Sequence, residues 1–231
     1  VIGPFSGRER RMLMFGSNNY LGLATHPLVL GRAMAAIRRY GVGVGGPPLL
    51  NGSTPVHREL EERLAALKGA EDALLFSSGY GANVGLAAGL LHAEDTVCSD
   101  EYSHASWCDG VRMAGARGVS FPHNRIDRME ELLESPRRGG SGDLFVAVEG
   151  VYSMDGDLAP LDRIVPACRK RNALLILDDA HGTGVVGATG RGSAEQFGVE
   201  GEVDITVGTF SKVFAMTGGF VAGSKAVVDY L

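Results

Sequence analysis

The sequence has little of what marks several protein classes. Its three cysteines, Cys98, Cys108 and Cys168, are an odd number without the paired spacing of a zinc site. Neither a disulfide framework nor a metal centre is expected, and a cytoplasmic location fits such a set. No apolar run approaches the roughly 18 residues of a membrane span, and no signal peptide is read at the start of the chain. Basic residues form no stretch long enough to track phosphates, and the formal net charge is −5, so nucleic acid is not an expected partner. Repeats and low-complexity linkers are absent. The chain opens on Val1 and closes on Leu231 inside a helical pattern, which reads as a fragment of a longer polypeptide.

What is there suits an ordinary globular protein: 231 residues, 45% hydrophobic and 21% charged, enough for one large domain. The 34 glycines follow no collagen or linker period and fit tight turns. Apolar, β-rich runs at 73–76, 96–99, 118–121, 144–149, 173–177, 204–207 and 219–222 predict strands, with helical patterns between most of them. Val56, Leu60, Leu64 and Leu67 form one apolar stripe. Thr54 as N-cap, Pro55 at the first helical position and Gly69 as terminator bound that helix. A second helix is expected over 161–171. Leu174-Leu175-Ile176-Leu177 is continuously apolar, as a strand buried on both faces requires. Strands alternating with helices give an α/β fold, a mostly parallel sheet flanked by helices. Ligands of such sheets bind at the carboxyl ends of the strands.

Polar motifs fall at those ends. Thr209-Phe210-Ser211-Lys212 follows one strand. A partly desolvated lysine there can lose its proton and attack an aldehyde, and the two hydroxyls suit a phosphate. Asp178 closes the apolar strand before Asp179-Ala180-His181-Gly182. A carboxylate in that place can pair with a protonated heterocyclic nitrogen, and His181 can reach the same ligand. Capping of the next segment is the alternative role. Ser77-Ser78-Gly79-Tyr80 opens a helix whose free amides can bind phosphate, with Tyr80 placed to cover a ligand. His104, in Ser103-His104-Ala105-Ser106, can stack on a planar cofactor or carry a proton. Ser153, in the stretch from Glu149 to Asp157, can donate to a phenolic oxygen. Gly41-Val42-Gly43-Val44-Gly45-Gly46 matches a dinucleotide-binding pattern, but it follows a helical run and precedes Pro47-Pro48. The strand–turn–helix context of that pattern is missing, so a loop is expected.

In this order the motifs resemble the α-oxoamine synthase family of type I fold pyridoxal-phosphate enzymes, over residues 15–231. Ser17-Asn18-Asn19-Tyr20-Leu21-Gly22-Leu23, Leu50-Asn51-Gly52-Ser53-Thr54 with His57, and Gly190-Arg191-Gly192-Ser193 add to the likeness. The resemblance implies the large domain of a type I PLP-transferase (aspartate aminotransferase-like), with pyridoxal 5'-phosphate as cofactor. Lys212 would carry the cofactor as a Schiff base, and Asp178 would pair with its ring nitrogen. His104 would stack on the ring, while His181 and Ser153 would contact the phenolic oxygen. Ser78, Gly79, Tyr80 and Thr209 would lie near the ring or phosphate, and Asn18 near the amino-acid carboxylate.

The activity implied is condensation of an amino acid with an acyl-CoA or acyl-carrier thioester, with loss of CO₂, to an α-aminoketone. Some motifs look like bacterial serine palmitoyltransferase and others like 8-amino-7-oxononanoate synthase. The resemblance also implies a homodimer, a segment 1–50 leading into a cofactor-binding domain over 51–231, and a C-terminal small domain absent from this chain. One departure stands out: Gly46-Pro47-Pro48 replaces the family's Gly-Ser-Arg and removes a basic residue from a substrate-facing loop. The alternatives are another type I enzyme such as a class I/II aminotransferase, or a non-catalytic partner or fragment.

Overall fold

The computed structural model describes residues 13–135 and 142–231. Positions 1–12 of the expected N-terminal segment lie outside the described residues. Among the described residues the first α-helices and strands are α1 (Pro27–Tyr40), α2 (Pro55–Lys68), β1 (Asp72–Phe76), α3 (Gly79–Leu90), β2 (Thr96–Asp100), α4 (Ala105–Ala114) and β3 (Arg117–Phe121). Next come α5 (Ile126–Glu134), β4 (Leu144–Glu149), α6 (Leu161–Lys170), β5 (Leu174–Asp178), α7 (Ser193–Gln196), β6 (Ile205–Thr209), β7 (Gly219–Gly223) and α8 (Lys225–Tyr230). Every strand run read from the sequence is a strand, shifted by no more than two residues at an end. The helix bounded by Thr54, Pro55 and Gly69 has those limits, with Gly69 left-handed at φ 65°. His57 Nδ1 accepts the Thr54 backbone N–H (3.2 Å), the task Glu or Gln performs at this position in a capping box. The glycine-rich stretch after Tyr40 is irregular, as its lack of a preceding strand predicts.

The strands form one seven-stranded sheet in the order β1-β7-β6-β5-β4-β2-β3. β3, β2, β4, β5 and β6 pair in parallel, while β7 runs antiparallel to both β6 and β1. Alternation along the strands divides the core in two. Val146, Val148, Leu175 and Leu177 pack with Met129 of α5 and Ile164 of α6. Phe145, Ala147, Ile176, Ile205 and Val207 pack with Leu86 of α3 and Trp107 of α4.

That parity positions the polar residues at the strand ends. Two residues beyond Ala147, Ile176 and Val207 stand Glu149, Asp178 and Thr209, each the last residue of its strand. All three face the α3–α4 side. Glu149 and Asp178 are also register partners across β4 and β5.

The apolar stripe of α2 is buried only at its C-terminal end. Leu64 is 4% exposed, whereas Val56 and Leu60 are 42% and 37% exposed. α1 contributes no buried residue at all, and its Leu30, Met34 and Ile37, spaced as one helical face, are open to solvent.

Candidate active site

A cavity of ≈ 260 Å³ opens at the carboxyl ends of β4, β5 and β6. Ser78, Gly79, Tyr80, His104, Asp178, His181, Thr209 and Lys212, all singled out in the sequence, line it. They come from the carboxyl ends of β1, β2, β5 and β6 and the segments that follow them, which strands running in one direction bring to one edge.

One wall is a hydrogen-bonded chain. Asp178 Oδ2 accepts from Asn83 Nδ2 (2.7 Å), and Oδ1 accepts from the backbone N–H of Ala180 (3.1 Å). The second bond is the local cap, so Asp178 caps its loop and faces the cavity at once. Asn83 Nδ2 also donates to Ser106 Oγ (3.0 Å). Ser106 Oγ lies 2.6 Å from His104 Nδ1, which the Ser106 backbone N–H also approaches at 3.2 Å. With Asn83 donating to its oxygen, Ser106 donates onward to His104. Nδ1 is therefore an acceptor, and the neutral ring carries its proton on Nε2.

Lys212 lies on the loop after β6, half-buried in the cavity. Burial lowers the pKa of its amine from the ordinary lysine value, although Asp178 and Glu149 pull the other way. The other described lysines are placed differently: Lys68 and Lys225 are in ion pairs, and none of the three lines this cavity. Burial, with Lys212 and His104 nearby, pushes His181 down to about 4, so its ring is neutral at neutral pH. Its Nδ1 sits 2.7 Å from the hydroxyl of Tyr20, which reaches across from the N-terminal segment.

The opposite end is built to receive an anion. Ser78 caps α3, accepting from the Gly81 N–H at 2.9 Å. The first amides of this twelve-residue helix face the cavity rim beside Thr209 and Ser211, whose hydroxyl oxygens are 2.9 Å apart. Gly79 is required there, because a Cβ would lie 2.9 Å from Thr209 Cβ and 3.0 Å from its Oγ1. Tyr80 stands at the mouth, its hydroxyl donating to Asp109 of α4 (2.7 Å).

Two expected site residues are not in the lining. Asn18 is exposed, and its Oδ1 lies 3.3 Å from the Tyr20 hydroxyl, which links it to His181 only indirectly. Ser153 is exposed in the turn after β4, beside the buried Tyr152. Conversely, Tyr20, Asn83, Ser106 and Glu149 belong to the site but carried no assigned role in the sequence reading.

Behind the cavity, Asp179 secures the loop that carries His181. It is fully buried and accepts from Lys68 Nζ (2.7 Å), Ser193 Oγ (2.6 Å) and Thr183 Oγ1 (3.0 Å). Gly192, at φ 108°, passes so close that any Cβ would collide with the Asp179 carboxylate. Removing the cation strands a buried charge. Lys68→Met is therefore expected to cost about 3–5 kcal/mol of stability, read as a lower urea midpoint. An unchanged midpoint would show that the pair carries no such burden.

The sequence profile described as aminotransferase class I and II matches residues 10–231. The 8-amino-7-oxononanoate synthase of Geobacter sulfurreducens is 48% identical over 222 residues, covering 96% of this chain and 56% of that protein. The enzyme of the same name from Geotalea daltonii is 46% identical, with 96% and 56% covered. Among solved structures, Sphingomonas wittichii serine palmitoyltransferase aligns at a TM-score of 0.88 and 38% identity, over 93% of this chain and 53% of that one. The 8-amino-7-oxononanoate synthase of Francisella tularensis aligns at 0.80 and 26%, over 94% and 59%. The chain thus spans little more than half the length of these proteins. The likenesses bear out the fold class expected from the sequence.

Proposed function

The chain belongs to the aminotransferase class I and II family, and from that premise we propose that it is the cofactor-binding part of a pyridoxal-phosphate-dependent C-acyltransferase. The complete protein would join an amino acid to an acyl-CoA or acyl-carrier thioester, releasing CO₂ and the free thiol and leaving an α-aminoketone. The observation that carries this reading is the pairing, in one cavity, of a half-buried Lys212 of lowered pKa with Asp178, opposite a helix N-terminus. The relatives' name supports the product class: 8-amino-7-oxononanoate has its amine on the carbon next to its ketone.

The residues fit pyridoxal 5'-phosphate. An anion cradle made tight by Gly79 suits the phosphate, and Asp178, held by Asn83, suits a protonated ring nitrogen. When bound, the group supplies an electron sink for charge developing at the amino acid's α-carbon. Lys212 Nζ would hold the group and, once free, take the α-proton. Its lowered pKa leaves more of the amine unprotonated near neutral pH. His104, fixed by Ser106, would cover the ring face, and neutral His181 would offer a nitrogen to the phenolic oxygen. Ser78, Gly79, Tyr80 and Thr209 would hold the phosphate end, Ser153 would contact the phenolic oxygen, and Asn18 would lie near the amino-acid carboxylate. Among the described residues no group of three or more His, Cys, Asp or Glu side chains is placed to hold a metal ion.

The organisation proposed is a segment 1–50 leading into a cofactor-binding domain over 51–231, with a small C-terminal domain supplied by the longer polypeptide. We further propose a cytoplasmic homodimer. Its cysteines are free, and among the described residues no helix is long and apolar enough to cross a membrane. Exposed apolar residues on α1 (Leu30, Met34 and Ile37) and on α2 (Val56 and Leu60) are of the kind an interface covers.

Thiol release from an acyl-CoA in the presence of single amino acids tests the activity on the complete protein. A class I/II aminotransferase would instead consume a keto acid and release no thiol. Light scattering on the same preparation is expected to give twice the chain mass. Absence of thiol release with every amino acid, or a monomer at micromolar concentration, would refute the respective claim.

A further inference from the structure

Glu149 ends β4 with no part in the chemistry proposed above, yet it is buried at 4% exposure in the middle of the site. It lines the cofactor cavity and also a second, small cavity of ≈ 10 Å³ behind it. Its Oε1 is buried without a hydrogen-bond partner, and so are Asn83 Oδ1 and Ser103 Oγ. All three residues line that small cavity. A buried polar atom left unpaired costs about 1–3 kcal/mol, so three around one space point to mutual satisfaction.

The donor inventory is short. Asn83 Oδ1, a carbonyl oxygen, only accepts, and both protons of the amide nitrogen already go to Asp178 and Ser106. An ionised Oε1 would also only accept, so among these three atoms the hydroxyl proton of Ser103 is the single one to share. Two acceptor oxygens across a space at the lower limit for one water, about 10–15 Å³, repel each other. A proton on Glu149 turns one of them into a donor.

Resting on the function proposed above, we propose that Glu149 is a positioning residue that works as a hydrogen-bond donor. As a neutral carboxylic acid it closes the polar cavity behind Asn83 and thereby holds Asn83 against Asp178. The charged and titratable groups around it are consistent with this. Asp178 stands beside it across the β4–β5 register, and Tyr152 follows it on the same loop. Burial and the Asp178 charge push Glu149 up to about 8. Lys212 and the main-chain N–H groups of Ser153 and His104 oppose that shift without cancelling it. Those amides also join Glu149 to the His104 and Ser153 segments.

The complete polypeptide without cofactor provides a test independent of activity. The infrared difference between wild type and Glu149→Gln should show a neutral carboxylic-acid carbonyl band at pH 7. That band should vanish as the pH is raised through about 8. In pyridoxal-phosphate titrations, Glu149→Gln, which keeps a donor, should bind within about threefold of wild type. Glu149→Ala should bind about tenfold more weakly, the loss of one hydrogen bond. Absence of the band at pH 7 overturns the proposal. So does an alanine variant of wild-type affinity, or a glutamine variant as weak as the alanine one. If wild type binds no pyridoxal phosphate, the function proposed above fails, while the infrared result still decides the state of Glu149.

Discussion

Lys212→Ala is expected to leave a folded protein that no longer takes up visible colour from pyridoxal phosphate. Thiol release should fall by at least about 10²–10⁴-fold, the range a positioned acid–base group supplies. The expectation follows from placement. Lys212 is the lysine in the cavity, while Lys68 is committed to Asp179 and Lys225 to Asp229. No neighbouring amine can replace it among the described residues. The wild-type pH profile gives a second check. Burial lowers the lysine's pKa, so the fraction of free amine, and with it the rate, rises at lower pH than for an ordinary lysine near about 10.4. A coloured Lys212→Ala protein with thiol release near the wild-type rate would remove Lys212 from the chemistry.

Asp178→Asn should bind the cofactor and slow removal of the α-proton by about a hundredfold, on the order of 3 kcal/mol in the barrier. Asn83 fixes the geometry of the replacement. Its Nδ2 donates to Oδ2 of residue 178 (2.7 Å), and the Ala180 N–H donates to Oδ1 (3.1 Å). An amide cannot accept with both of its terminal atoms. One of these two donors loses its partner, and the charge facing the ring nitrogen disappears. Loss of the α-deuteron from a labelled amino acid, followed by NMR, measures the effect without depending on the acyl substrate. Exchange at the wild-type rate would reduce Asp178 to a cap of the loop that follows it.

Lys212, Asp178, His181 and the Ser78–Gly79 turn are legible in the sequence because each sits at the end of an apolar strand or within three residues beyond it. Strand ends of a parallel sheet converge whatever lies between them, so local motifs sufficed to predict the cavity. The supporting residues were not legible, because their partners are distant along the chain. Asn83 meets Asp178 across 95 positions, Lys68 meets Asp179 across 111, and Tyr20 meets His181 across 161. Nothing local distinguishes Asn83 from any other polar residue on a helix face. Glu149 carried a usable signal: the parity that turns Phe145 and Ala147 toward α3 and α4 also turns Glu149 there, beside Asp178. The stripe on α2 marks the opposite limit. Its periodicity fixed the helix, but Val56 and Leu60 remain open. Periodicity identifies an apolar face without identifying what covers it.

Treatment of the pyridoxal-phosphate-loaded complete protein with borohydride, followed by proteolysis and mass spectrometry, asks the central question most directly. Reduction fixes the cofactor to whichever amine holds it. The peptide containing Lys212 should carry the added mass of one reduced cofactor, and those containing Lys68, Lys170 and Lys225 should not. Label on one of those three, or on no lysine at all, would contradict the assignment of this cavity as the cofactor site.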